Sequence, residues 1–160
     1  MNALTGKQSQ RSFSSDHKEG KVAERLSHEH VQRLMKNKLY LDPDVSAHWD
    51  FYNETTLIEH KARGVYSDTY DSTMIQGHKV LRAYEQVKKG YRVFFAFRFL
   101  DGLYYVRFRP EKFDTYFTDS KRLDDRVDYK EKECLRYYIP LGDLKCLARF
   151  ESKPLFLEDE

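Results

Sequence analysis

A chain of 160 residues, 40% hydrophobic and 34% charged, has room for one core and needs neither disulfides nor a structural metal to hold it. Its net charge of +2 is too small to mark a nucleic-acid binder by itself, and no apolar run reaches the roughly 18–20 residues that span a bilayer. The cysteines, Cys134 and Cys146, have no CxxC spacing and read as reduced thiols, and the N-terminus lacks a signal peptide's apolar core, so a cytoplasmic or nuclear protein is expected, neither secreted nor in a membrane.

Residues 1–17 are rich in Ser, Gln, Asn and Lys and read as a disordered tail, ahead of a single domain over 18–150 and a C-terminal tail over 151–160. Val22, Leu26, Val31, Leu34 and Met35 follow a helical period and predict a helix over 19–38, capped by Ser15 or Asp16. Pro43 breaks the chain, and 47–52 alternates as a strand with Trp49 and Phe51 on one face and His48, Asp50 and Tyr52 on the other. After a turn at Asn53-Glu54, a second strand over 56–63 completes a hairpin, with Leu57, Glu59, Lys61 and Arg63 on one face and Ile58, His60 and Ala62 on the other.

A polar loop over 64–71 precedes a helix predicted over 73–89, with Asp71 or Ser72 as its cap and Gly90 just past its end. The segment RVFFAFRF over 92–99 is almost continuously apolar, as a central buried strand is. Asp101-Gly102 signals a tight hairpin into a strand over 103–108. The charged stretch 110–132 has few apolar anchors, and 135–141 reads as an edge strand because Pro140 cannot donate to a ladder. The order of elements predicts a mixed α/β or α+β domain, a central mixed sheet flanked by helices.

Chemistry concentrates at Asp50 and at Leu57-Ile58-Glu59-His60-Lys61. Glu59 and Lys61 are two apart on a strand and project from one face, and a hairpin brings Asp50 toward Glu59. An E-x-K pair on a strand is ordinarily a solvated face; the acid on the preceding strand is what adds to it here. Two converging carboxylates suit Mg²⁺, which takes oxygen ligands and keeps waters that a substrate phosphate replaces. The main-chain carbonyl of His60 is a further candidate ligand, and Lys61 is placed to orient a water or to meet charge on a phosphate.

Asp50-Phe51-Tyr52, a short turn and TLIEHKAR resemble the core of the PD-(D/E)XK nuclease superfamily, whose members include restriction endonucleases, Holliday junction resolvases and small phage- or virus-type enzymes. Upstream, GKVAE with Glu24 is similar to the acidic position on the family's first helix. Downstream, MIQGHKVLRAYEQVKKG is similar to its Gln-bearing helix, followed by the apolar strand and the hairpin FLDGLYYVRF, so the resemblance covers about 18–108. It implies a restriction endonuclease-like core and Mg²⁺- or Mn²⁺-dependent hydrolysis of phosphodiesters in nucleic acid, with DNA the expected partner. It also implies Asp50 and Glu59 as metal ligands, Lys61 as the catalytic lysine, Glu24 as a ligand directly or through water, and Gln76 as a residue that positions lysine or substrate. This chain departs from the family in having His60 where an apolar residue is usual and no Pro before the first acid.

Arg63, Lys79, Arg107 and Arg109 are the candidate phosphate contacts, and such contacts make binding salt-dependent. The run His28-Glu29-His30 lacks the i, i+4 pair of a helical zinc site and reads as surface. A homodimer is the expectation for a junction-cutting enzyme, since two symmetric cuts need two sites. Two other readings stay open: an inactive nucleic-acid-binding relative, and a protein-interaction module without metal.

Overall fold

The computed structural model describes residues 13–44, 48–120 and 135–151. Helix α1 (Phe13–Gln32) begins and ends six residues before the 19–38 expected from periodicity, which puts Ser15 and Asp16 inside it and not at its cap. It stops where Gln32 turns back on the chain: Oε1 accepts the Leu39 N–H (2.7 Å) and Nε2 donates to the Asn37 carbonyl (3.0 Å). Its rotation also differs from expectation. Lys21, Glu24, Ser27 and Val31, at helical spacing, are buried, while Val22 and Leu26 are exposed. His28 is half-buried rather than surface, its ring stacked on Phe51 and its Nε2 2.7 Å from the Leu39 carbonyl oxygen.

Strands β1 (Tyr40–Leu41), β2 (Phe51–Tyr52) and β3 (Thr56–Ala62) form an antiparallel meander, with Phe51 opposite Ile58 and Tyr52 opposite Leu57. The predicted hairpin is there, but its first arm is two residues long, not the six of 47–52. Ala47 lies outside the described residues. The chain bends at His48 and Asp50, so Trp49 and Phe51 pack into different core clusters instead of sharing a face.

Where one helix over 73–89 is expected, there is a strand β4 (Ser72–Gln76) and then α2 (Gly77–Lys88). Thr73 and Ile75 alternate inward opposite Ile139 and Tyr137, a pairing with a distant stretch of chain that outweighs the local helical spacing. Gly77, not Asp71 or Ser72, opens the helix, because its start presses on the second sheet: a Cβ there would lie 2.8 Å from the Leu135 carbonyl oxygen. Gly90, at φ 96°, follows α2 in the left-handed region, where a glycine costs least.

Strands β5 (Arg92–Phe99) and β6 (Gly102–Arg107) form the second hairpin. The charged stretch after it contains a short helix α3 (Pro110–Phe113) and a strand β7 (Thr118–Ser120); 121–134 lies outside the described residues. Strand β8 (Leu135–Pro140) is the middle of a three-stranded antiparallel sheet ordered β4-β8-β7, not an edge. Pro140 is tolerated because its nitrogen faces the β7 side, as that of Tyr138 does when it donates to the Phe117 carbonyl, and the β7 pairing stops at Tyr137. Strand β9 (Lys145–Arg149), in a segment the sequence reading leaves without an element, closes the large sheet.

The large sheet has the order β1-β2-β3-β5-β6-β9, with β3 and β5 parallel and every other pair antiparallel. The fold is therefore mixed α+β, with a six-stranded mixed sheet, a three-stranded sheet and helices. Leu57, Val80, Phe95 and Phe97 pack on one face with Ile75 and Ile139 of the small sheet; Val31, Leu39, Phe51, Ile58 and Ala96 pack on the other, under α1. Phe97 is fully buried at the centre of this arrangement. Phe97→Ala should cost about 3–5 kcal/mol of unfolding free energy, measurable as a lower urea midpoint; a loss under about 1 kcal/mol would contradict this packing.

Candidate active site

The alternation of β3 builds the site. Glu59 and Lys61 stand opposite Phe95 and Phe97 of β5 and share their face of the sheet. Beyond Ile58 the outer edge of β3 loses its partner, since β2 ends there, and Asp50 takes over. The Asp50 N–H donates to the Ile58 carbonyl (3.0 Å), and Asp50 Oδ2 accepts the His60 N–H (2.7 Å). Thr55 and Arg63 bond toward β5, whereas Thr56 and Ile58 bond toward β2, so the His60 carbonyl also points to the Asp50 edge.

Helix α1 crosses this edge with its polar face inward. Lys21 Nζ lies 2.9 Å from Glu24 Oε2 and 3.9 Å from Asp50 Oδ1, and it donates to the Asp42 carbonyl (2.9 Å). Lys61 and Lys79 each place Nζ 3.0 Å from Glu59 Oε1. The acids are deep: relative exposure is 6% for Glu24, 8% for Asp50 and 2% for Glu59. Burial pushes the Asp50 carboxyl up to about 8, helped by the charges of Glu59 and Glu24 and by a hydrogen bond with Glu24; the bond from His60 N–H works the other way. Glu24 Oε2 is held by Lys21 at 2.9 Å.

The His60 ring is on the other face and is not part of this group. It packs edge-on against Phe51, and its Nε2 lies 2.8 Å from Ser27 Oγ, which accepts from Arg98 Nη1 (3.1 Å). Burial, then the charges of Arg98, Lys61 and Lys21, hold its pKa down to about 3, so the imidazole stays neutral. Any ligand role for His60 belongs to its main chain.

Of the residues expected from sequence, Glu24, Asp50, Glu59 and Lys61 come together, and Lys79 joins them as a direct partner of Glu59. Gln76 is exposed at the junction of β4 and α2, and its side chain does not cap the helix. Arg63 is half-buried: its Nη2 donates to the Met74 carbonyl and its guanidinium lies over the Phe97 ring at 5.8 Å. Arg107 and Arg109 are exposed and sit elsewhere, because Arg107 is opposite Phe94, on the α1 face of the sheet. Lys21 is the member that sequence reasoning missed; its i, i+3 spacing to Glu24 was the available signal.

Fold and site thus define an α+β domain with a buried group of carboxylates, answered by ammonium groups, at the open edge of the parallel β3–β5 pair. Comparison with protein-family models, with curated proteins and with solved structures finds no match. Among the described residues no three or more His, Cys, Asp and Glu side chains form a ready-made metal cage, and no helix is long and apolar enough to cross a membrane.

Proposed function

We propose that this protein is a metal-dependent nuclease of the PD-(D/E)XK type that hydrolyses phosphodiester bonds in DNA. The observation that carries the reading is the buried approach of Asp50, Glu59 and Glu24, with Lys61 on Glu59, at a strand edge lacking a backbone partner. The order of elements supports it: an acid-bearing helix, Asp50 just ahead of a hairpin whose second arm carries Glu59 and Lys61, and then, after β4, a helix and a strand parallel to the lysine-bearing one, as in a restriction endonuclease-like core.

The donor set fits a hard divalent cation. Mg²⁺ is commonly held by one or two carboxylates with waters and substrate phosphate, so a full protein cage is not required. The raised Asp50 carboxyl reflects burial beside two further acids, Glu59 and Glu24, a setting in which a bound cation favours the ionised form. Asp50, Glu59 and the His60 carbonyl would hold Mg²⁺ or Mn²⁺, with Glu24 binding directly or through water. When bound, that cation supplies Lewis-acid polarisation of the phosphate and acidifies water.

The rest is the work of the chain. Lys61 is the most open of the three ammonium groups, with side-chain exposure of 29% against 13% for Lys79 and 11% for Lys21. It can turn from Glu59 to an incoming phosphate while Lys79 keeps Glu59 paired. Attack by water on phosphorus breaks a P–O bond and builds charge on the phosphoryl oxygens, and an ammonium at that point lowers the barrier. The neutral His60 ring, locked between Ser27 and Phe51, keeps the β3 edge in place without competing for protons.

The ion pairs on Glu59 favour a second reading, an inactive nucleic-acid-binding relative in which the lysines only balance buried charge. Incubation with supercoiled plasmid, single-stranded DNA and a four-way junction separates the two. With Mn²⁺ at least one substrate should be cut, and EDTA should stop it. Salt-sensitive binding without cutting under any condition would leave the second reading standing alone.

A further inference from the structure

A cavity of about 390 Å³ opens between the 64–71 loop, β4 and β8, within the volume range of small-ligand sites. Its walls carry the rings of Tyr66, Tyr70, Phe99 and Tyr138, and Arg63 and Met74 line the side nearest β3. Arg63 is two residues beyond Lys61. Its N–H continues the pairing with β5, and its guanidinium lies over Phe97, which stands opposite Lys61. Lys61 and Arg63 therefore follow one another on the same face, roughly 7 Å apart along the strand.

The loop that roofs the cavity is fixed to both sheets. Val65 accepts the Leu100 N–H (3.0 Å), Ser67 donates through N–H (2.8 Å) and Oγ–H (2.7 Å) to the Asp101 carboxylate, and Asp71 accepts the Leu141 N–H (3.0 Å). The cavity is thus formed before any ligand arrives. Tyr70 is 66% exposed, and an exposed tyrosine over a pinned, ring-lined hollow is a platform for a flat aromatic group. Arg63 has five N–H donors, of which the Met74 carbonyl takes one, and serine and threonine hydroxyls in the wall can meet the edge of such a group.

We infer that this cavity receives one unstacked nucleobase from the strand whose phosphate lies at Lys61. The inference rests on the nuclease reading and adds a subsite to it. Rings stack on the π-face of any base and the polar wall reads its edge, so the cavity would fix the register of the strand and bias which base stands beside the cut. Unstacking is least costly in single strands, mismatches and junctions, so these are the preferred substrates.

The test uses oligonucleotides carrying the fluorescent base 2-aminopurine, moved one position at a time, with the intact chain in EDTA. The cut position is mapped in parallel with Mn²⁺. Emission should depart from its neighbours at one position, at a fixed offset from the cut. Tyr70→Ala should remove that signal and weaken binding about tenfold, the effect of losing one ring from a base stack; Tyr70→Phe should retain both. Tyr40→Ala, an exposed ring on β1 outside the cavity, should change neither. A chain that cuts DNA but gives an even signal at every position, or whose signal survives Tyr70→Ala, overturns the base site and leaves the nuclease reading intact. A chain that neither cuts nor binds DNA removes both.

Discussion

Asp50→Asn should melt at a higher temperature than the natural chain and cut no DNA. The stabilisation follows from burial. The Asp50 carboxyl titrates at about 8 in the folded protein against 3.8 in the unfolded chain, burial being the main cause and Glu59 and Glu24 adding to it. Between these values the folded state holds a proton that the unfolded state has released, so stability falls as pH rises from about 4 to about 8 and is level outside that window. Asparagine keeps the shape and an acceptor for the His60 N–H without the charge. Its advantage should be near zero at pH 4 and grow to about 2–4 kcal/mol by pH 8, less than the full pKa displacement implies because Glu24 and Glu59 share the relief. For a domain of this size that is a rise of roughly 5–10 °C in Tm, read by thermal melts across the pH range.

The same substitution removes a proposed ligand. Mg²⁺ at pH 8 should raise the Tm of the natural chain and leave that of Asp50→Asn nearly unchanged, because a ligand stabilises only the state that binds it. Undiminished cutting by Asp50→Asn, or a Tm below that of the natural chain at pH 8, would remove Asp50 from the reaction. A stable protein that has lost activity is the pattern left when strain belongs to function and not to folding.

Lys61→Ala should lower kcat by about 10²–10³-fold at constant fold, the usual cost of removing one donor aimed at transition-state charge. Stability should move by less than about 1 kcal/mol, since Lys61 is partly exposed and Glu59 keeps Lys79 at 3.0 Å. Lys79→Ala should have the opposite emphasis. Lys79 is the more buried partner of a carboxylate that is 2% exposed, so its loss should unsettle the fold more and the chemical step less. Single-turnover cleavage and urea melts on both variants give the comparison. Equal rates for Lys61→Ala and the natural chain would return Lys61 to the role of a charge-balancing surface group.

Much of strand β3 could be read from the chain. The two-residue period of 56–62 puts Glu59 and Lys61 on one face, and no packing is needed to see it. The near-continuous apolar run of β5 and the glycine after α2 are also local signals that appear where the spacing places them. The β5–β6 hairpin is there too, but its turn is Leu100-Asp101, one residue earlier than the Asp101-Gly102 signal, with Gly102 already paired opposite Phe99. The joining of Glu24 to the acids is a weaker case, since it came with the family resemblance and not from the helix pattern.

Other features required the folded molecule. Apolar periodicity turns Val22 and Leu26 of α1 inward, because burying a charge is ordinarily costly; the fold turns Lys21, Glu24 and Ser27 inward instead, because Asp50, the Asp42 carbonyl, His60 and Arg98 wait there as partners. Strand β4 in place of a helical turn, β8 in the middle of a sheet and β9 at an edge all depend on pairings between distant segments, which no local window contains. Side-chain alternation is a property of the bonded chain and survives in any window of sequence. Which polar face is buried is settled by partners that meet only after the chain has closed on itself.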